Sequence, residues 1–131
     1  MREIIFKARR LDNGEWVFGD LNHFSDGRAA IADSEQDWFL VDPETVCEYA
    51  SIKDKTGERI FEGDILSAAF DAKHPEDETL SYVAWINYRW CTVQEGYMPD
   101  EISNFDEGIW KIVGNIHDSK VVKTDAQADS V

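Results

Sequence analysis

Sixteen consecutive residues, Ser51 to Leu66, hold a turn, a strand and a glycine-marked bend, so they specify an architecture before they suggest any chemistry. Asp54-Lys55-Thr56-Gly57 suits a type I turn with Asp54 at its first position and Gly57 in the left-handed region that closes a G1 bulge. Tyr49 to Lys53 and Glu58 to Phe61 are then the arms of a hairpin. Glu62-Gly63-Asp64 interrupts the second arm, because glycine supplies a backbone conformation denied to bulky residues and an Asp64 carboxylate can take nearby backbone N–H groups. Ile65 to Phe70 leaves the bend as a new strand.

Elsewhere, turn signals recur roughly every eight to twelve residues between short β-rich runs, and helical periodicity is scarce. Ile4 to Arg10 leads into Asp12-Asn13-Gly14, and Glu15 to Leu21 follows with Trp16 and Phe18 on one face, which predicts a hairpin with Gly14 at positive φ. Ser25-Asp26-Gly27 turns the chain into Arg28 to Ala32. Asp37 to Val41 is the next strand; Asp42-Pro43-Glu44-Thr45 ends it, either as a tight loop or as a short helical turn capped by Asp42 with Pro43 at its first position. Thr79 to Asn87 has Leu80, Tyr82, Ala84 and Ile86 on one face and Val83 and Trp85 on the other, the pattern of a central strand. Trp90 to Glu95 pairs with it across Asn87-Tyr88-Arg89.

Pro99, followed by Asp100, Glu101, Ile102 and Phe105, reads equally as a short helix or as an ordered acidic loop. Ile109 to Ile116 closes the domain, and the polar run from about Ser119 to Val131 is expected to fray. The expectation is one mainly β domain over residues 1–118, with antiparallel sheets or a partly closed barrel and at most one or two short helices. The Gly63-Asp64-Ile65-Leu66 run is similar to strand openings in small SH3-like barrels, a likeness of local geometry that carries no function.

Composition narrows the function classes. The chain is 43% apolar with five Trp, seven Phe and four Tyr, enough for a core. No run approaches the roughly 18 to 20 apolar residues of a membrane span, and the start lacks the apolar stretch of a signal peptide. A cytoplasmic protein with no membrane contact is expected. Cys47 and Cys91 lack metal or redox spacing and read as buried thiols. The net charge of −14 opposes direct nucleic-acid binding, which rests on Lys and Arg clusters. Asp71 to Glu78 carries four acids and one Lys, and Glu95 to Glu107 five acids and no base. Such segments solubilise a protein, meet a basic partner, or imitate DNA.

Candidate chemistry is thin. Asp54, Glu58, Glu62 and Asp64 are close enough in sequence to serve as acid and base or to hold a divalent cation, yet each sits at a turn or strand end where carboxylates satisfy backbone donors. Together with Gly57 and Gly63, Asp54, Glu62 and Asp64 read as a structural motif. His23, His74 and His117 lack zinc-type spacing, and neither a nucleophile elbow nor a Walker loop nor a dinucleotide fingerprint occurs. No catalytic residue, cofactor or metal ligand is assigned. Trp16, Trp85 and Trp110 are expected in the core; Trp90 and Tyr97, beside the acids Asp100 and Glu101, are the candidate interaction surface.

Three blocks carry a family resemblance: Arg2-Glu3-Ile4-Ile5-Phe6-Lys7-Ala8 followed by Trp16-Val17-Phe18-Gly19-Asp20-Leu21; Val41-Asp42-Pro43-Glu44-Thr45-Val46 running into Ile52-Lys53-Asp54-Lys55-Thr56-Gly57 and Ile60-Phe61-Glu62-Gly63-Asp64-Ile65; and Val113-Gly114-Asn115-Ile116-His117. In these the chain resembles the YopX proteins of bacteriophages and prophages. Ala50-Ser51 departs from the family, which usually has Thr-Gly there, as does Lys7, where Arg is common. The resemblance implies a largely β, phage-derived protein of a bacterial cytoplasm and supplies no catalytic residues. The expected function is a noncatalytic protein-binding or assembly module, self-associating and facing a basic partner. The alternatives are a metal-dependent hydrolase using the Glu62 and Asp64 region, and an acidic DNA mimic.

Overall fold

The structure, a computed structural model, describes residues 3–70, 73–74, 76–102 and 108–118. The expected fraying beyond Ser119 and the Phe105 end of the Pro99 stretch lie outside the described residues. Within them the chain is mainly β, in two antiparallel sheets with no closed barrel, and its helical content is one 3-10 turn. The apolar residues expected to form one core separate into two buried clusters, one in each of two compact units that meet in sequence at Tyr49 and Ala50.

The first unit holds β1 (Phe6–Arg9), β2 (Trp16–His23), β3 (Ala29–Ala32), β4 (Trp38–Val41) and the beginning of β5 (Cys47–Lys53), hydrogen-bonded in the order β4-β3-β2-β1-β5. Ala8, Val17, Ala29, Ile31 and Val41 form its core, with Phe6, Leu21, Phe39 and Val46 packed against them. Gly14 has φ 74, as the first hairpin requires. β2 serves two partners in turn: Trp16–Gly19 pairs with β1 and Asp20–His23 with β3. Gly19, at φ 156, stands at the change, and a Cβ there would lie 1.8 Å from the Ala32 carbonyl oxygen. An isolated bridge between Arg10 and Val41, with Leu11 N–H donating to Leu40 O at 3.0 Å, draws the end of β4 back to the end of β1. The sheet thus curls partway toward a barrel. Asp42 then caps the 3-10 turn Pro43–Thr45, as one of the two sequence readings had it.

The second unit begins within β5, which pairs with β6 (Arg59–Phe61) across the Asp54–Gly57 turn. Gly57 has φ 90, and its N–H donates to Asp54 O at 3.0 Å, as the turn type demands. β7 (Asp64–Ala68), β8 (Thr79–Ile86), β9 (Arg89–Val93), β10 (Asp100–Glu101) and β11 (Lys111–Asn115) form a sheet in the order β10-β9-β8-β7-β11. Ala50, Ile52, Ile60, Leu66, Ala68, Val83, Ile102 and Trp110 make its core. β8 is central, as expected, but Leu80 and Tyr82 on its outer face are exposed.

Two expectations are corrected here. The Pro99 stretch gives no helix among its described residues. Asp100 and Glu101 instead pair with Thr92 and Cys91, and Ile102 N–H donates to Trp90 O at 3.0 Å, so the free edge of β9 takes the backbone groups a helix would have bonded internally. Trp85 and Trp16 are not core. Trp85 faces Trp90 beside the turn that ends the hairpin and is 51% exposed, while Trp90 packs on the core. Trp16 is half-buried, with the Lys7 ammonium 4.6 Å from its ring centroid. Trp110 is buried as expected.

Two substitutions test these backbone demands. Gly19→Ala forces a methyl into a backbone carbonyl and is expected to cost at least ~2 kcal/mol, read as a lower denaturation midpoint. Ser51 in β5 holds φ 67, a left-handed conformation that disfavours any residue with a Cβ, and it occupies the place where the resembled family usually has glycine. Ser51→Gly is expected to stabilise by about 0.5 to 1 kcal/mol in the same measurement.

Candidate functional site

Two carboxylates of the central block, those of Asp54 and Asp64, are committed to backbone donors, while Glu58 is exposed. Asp54 is buried, and its Oδ1 accepts from Thr56 N–H at 2.8 Å, Thr56 Oγ1–H at 2.7 Å and Glu58 N–H at 3.0 Å. Its Oδ2 accepts from Ile112 N–H at 3.0 Å, a contact across 58 residues of chain that fixes β11 to the turn. Burial pushes the Asp54 carboxyl up, but the hydrogen bonds from Ile112, Thr56 and Glu58 outweigh it and hold it below the usual carboxylate value.

Asp64 is fully enclosed. Its Oδ2 accepts from Phe61 N–H at 2.7 Å and its Oδ1 from Asn115 Nδ2 at 3.0 Å. Asn115 Nδ2 also reaches Glu62 O at 3.2 Å, and Gly63, at φ 81, donates its N–H to Val83 O and accepts at its carbonyl from Ile116 N–H. A Cβ on Gly63 would lie 3.1 Å from the Ile116 side chain. The central and closing sequence blocks therefore meet as one hydrogen-bonded joint. Glu62, Gly63 and Asp64 hold that joint, and the Asp64 side chain is fully buried within it.

The candidate interaction residues gather along one edge of the five-stranded sheet. Asp100 and Glu101 form the edge strand β10, both exposed. Glu101 Oε2 lies 3.3 Å from Arg89 Nη1, which brings the acid beside the β8–β9 turn. Trp90 stands edge-on to Trp85 at 5.0 Å between ring centroids. Tyr97 lies in the turn that joins β9 to β10 and is 70% exposed. From sequence, Trp85 reads either as part of a stacking platform with Trp90 and Tyr97 or, preferred, as core, and Tyr88 is not singled out; Tyr88, in the two-residue turn between β8 and β9, is the most exposed large aromatic of the described residues at 92%.

Among the described residues, one group of potential metal ligands converges: His74, Glu76 and Asp77, with ligand atoms within 4.8 Å of one another and all three exposed. His74 Nδ1 lies 3.3 Å from Glu76 Oε1. Nothing encloses the three, and exposed acidic turns of this kind are common without an ion. Cys47 and Cys91 are buried free thiols, as expected.

Asp54 supplies a pH-dependent test. A folded-state pKa below the unfolded value of about 3.9 means that its stabilisation is complete above that value and is lost as pH falls through the folded one. Asp54→Asn is expected to lower stability at pH 7 by about 2 kcal/mol, and its difference from the parent is expected to shrink steadily as pH falls below the unfolded value; urea midpoints across an acid pH series measure this.

The YopX protein family model matches residues 7–121. A search of curated proteins returns no match. The matched span takes in β2 through β11 and all of β1 but Phe6, including the joint built from Glu62, Gly63, Asp64 and Asn115 and the edge formed by Asp100 and Glu101. The chain therefore belongs to the YopX family.

Proposed function

We propose that this YopX chain is a noncatalytic protein-binding module of phage or prophage derivation, acting in a bacterial cytoplasm and using the β9–β10 edge to hold a basic surface of a protein partner. One observation carries the reading: the edge strand consists of two exposed acids, Asp100 and Glu101, flanked by exposed aromatic rings at Trp85 and Tyr97. Aromatic rings with a polar rim are the composition of binding hot spots, and an acidic rim selects a cationic partner. The central carboxylates favour the same reading, since Asp54 and Asp64 are taken up by backbone and Asn115 donors rather than turned toward a cleft.

Affinity purification from a bacterial host at low and moderate salt, using the protein and an Asp100→Lys, Glu101→Lys double variant, tests it. A partner with a basic face should be retained at about 50 mM salt, reduced strongly at about 500 mM as the Debye length shrinks, and lost in the double variant. Because both acids are exposed, the variant should keep the parent melting temperature to within a few degrees. A partner whose retention is indifferent to salt and to both substitutions would refute the acidic edge. A captured DNA-binding protein displaced by duplex DNA would move the reading to DNA mimicry.

A further inference from the structure

The β8–β9 turn contains an energetic anomaly. Ile86 pairs with Arg89, so Asn87 and Tyr88 alone make the connection, and both have positive φ, 52 and 66. Two-residue turns of this hand favour Asn followed by Gly, because the second residue sits in the left-handed region where a Cβ is disfavoured. Asn87 fits that rule and Tyr88 breaks it. The ring gains nothing in return from the fold: no hydrogen bond or ring contact of its side chain to another described residue is present, and it is 92% exposed. A bulky side chain that strains its backbone while standing 92% exposed is unexplained by stability, and strain of this kind concentrates at binding sites.

Resting on the protein-binding reading above, we infer that Tyr88 is the anchor of this site and that it takes an arginine side chain of the partner. The guanidinium stacks on the phenol ring and its charge faces Glu101, which already reaches the β8–β9 turn at Arg89. Charge complementarity selects a cation, since the edge is acidic on a chain of net charge −14. Arginine is favoured over lysine because a planar guanidinium can lie on a ring and still present its fork of donors to a carboxylate. The same arrangement occurs twice within the chain. Arg10 lies 4.1 Å from the Phe39 centroid while paired with Asp12 at 2.6 Å, and Arg28 lies 5.5 Å from the Phe24 centroid while paired with Asp26 at 2.7 Å. At the edge, Glu101 already holds one exposed guanidinium, that of Arg89. The partner's arginine would extend this arrangement outward to Tyr88.

The experiment uses the full chain with two probes, a ten-residue peptide alternating arginine with serine and its lysine counterpart, titrated at low salt and followed by the indole N–H resonances of Trp85 and Trp90. The expected result is tighter binding of the arginine peptide, unchanged affinity in Tyr88→Phe, and a loss of about tenfold or more in Tyr88→Gly. Thermal denaturation of Tyr88→Gly should show a melting temperature raised by about 2 to 6 °C, because the substitution relieves the left-handed strain. Equal binding of both peptides, or a Tyr88→Gly variant that binds as well as the parent, overturns the anchor. If Asp100→Lys, Glu101→Lys still abolishes binding in that case, the acidic-edge reading survives alone. Failure of the arginine peptide to bind the parent overturns the arginine assignment. A melting temperature unchanged or lowered in Tyr88→Gly overturns the strain on which the inference depends.

Discussion

Backbone N–H groups left over at strand ends and turns are the constraint around which this all-β chain is organised, and three buried aspartates meet it. A helix satisfies most of its own donors, whereas short strands joined by turns leave amides that ladders cannot reach, and each costs free energy if buried alone. Asp42 takes the N–H of Glu44, Asp54 those of Thr56, Glu58 and Ile112, and Asp64 that of Phe61. All three lie in the 41–65 segment that holds the central block of the family resemblance. Charge-assisted bonds to backbone are stronger than neutral ones, which accounts for carboxylates in positions closed to water. The apolar clusters supply the bulk of the driving force, and the aspartates decide which turns and strand ends that force is allowed to bury.

Acidic residues therefore have two separate uses here. Inside, they are acceptors for the protein's own amides. Outside, at Asp100, Glu101 and the turn that follows β9, they face solvent beside aromatic rings. A count of acids mixes these populations, and the charge of −14 says nothing about which carboxylates are open to a partner.

Much of the fold was legible because its signals were local. The turns at Gly14 and Gly57 and the bend at Gly63 each depend on a few adjacent residues with a strong conformational preference, and each formed where it was expected, while at Asp42 the capped turn formed rather than the tight loop that read equally well. What could not be read was decided by distant chain. Asp100 and Glu101 carried helix-start features, yet the open edge of β9 made them a strand. Trp85 had the size of a core residue, but its alternation placed it at the hairpin end, and Trp90 took the buried place. Apolar residues on both faces of β8 suggested burial on both, while Leu80 and Tyr82 are open. The candidate site was half visible: Trp90, Tyr97, Asp100 and Glu101 were singled out, but strain at Tyr88 is a property of φ, and no residue type announces it. Ser51 shows the reverse case, a departure from the family's glycine whose meaning appears only once its backbone angle is known.

The joint between Asp64 and Asn115 spans 51 residues of sequence. Synthesis runs from the N-terminus, so a nascent chain carries the Asp64 carboxylate long before its amide partner has been made. Until β11 arrives, β7 is an open sheet edge, and the chain around Gly63 lacks the Ile116 N–H that its carbonyl accepts. The first unit pairs within residues 6 to 49 and faces no such delay. Translation thus imposes an order on the molecule: the early strands can settle while the later sheet waits for its last strand. In that interval its exposed edge is most open to pairing with another chain, and protection of β7 by a chaperone or by a neighbouring strand would matter most then.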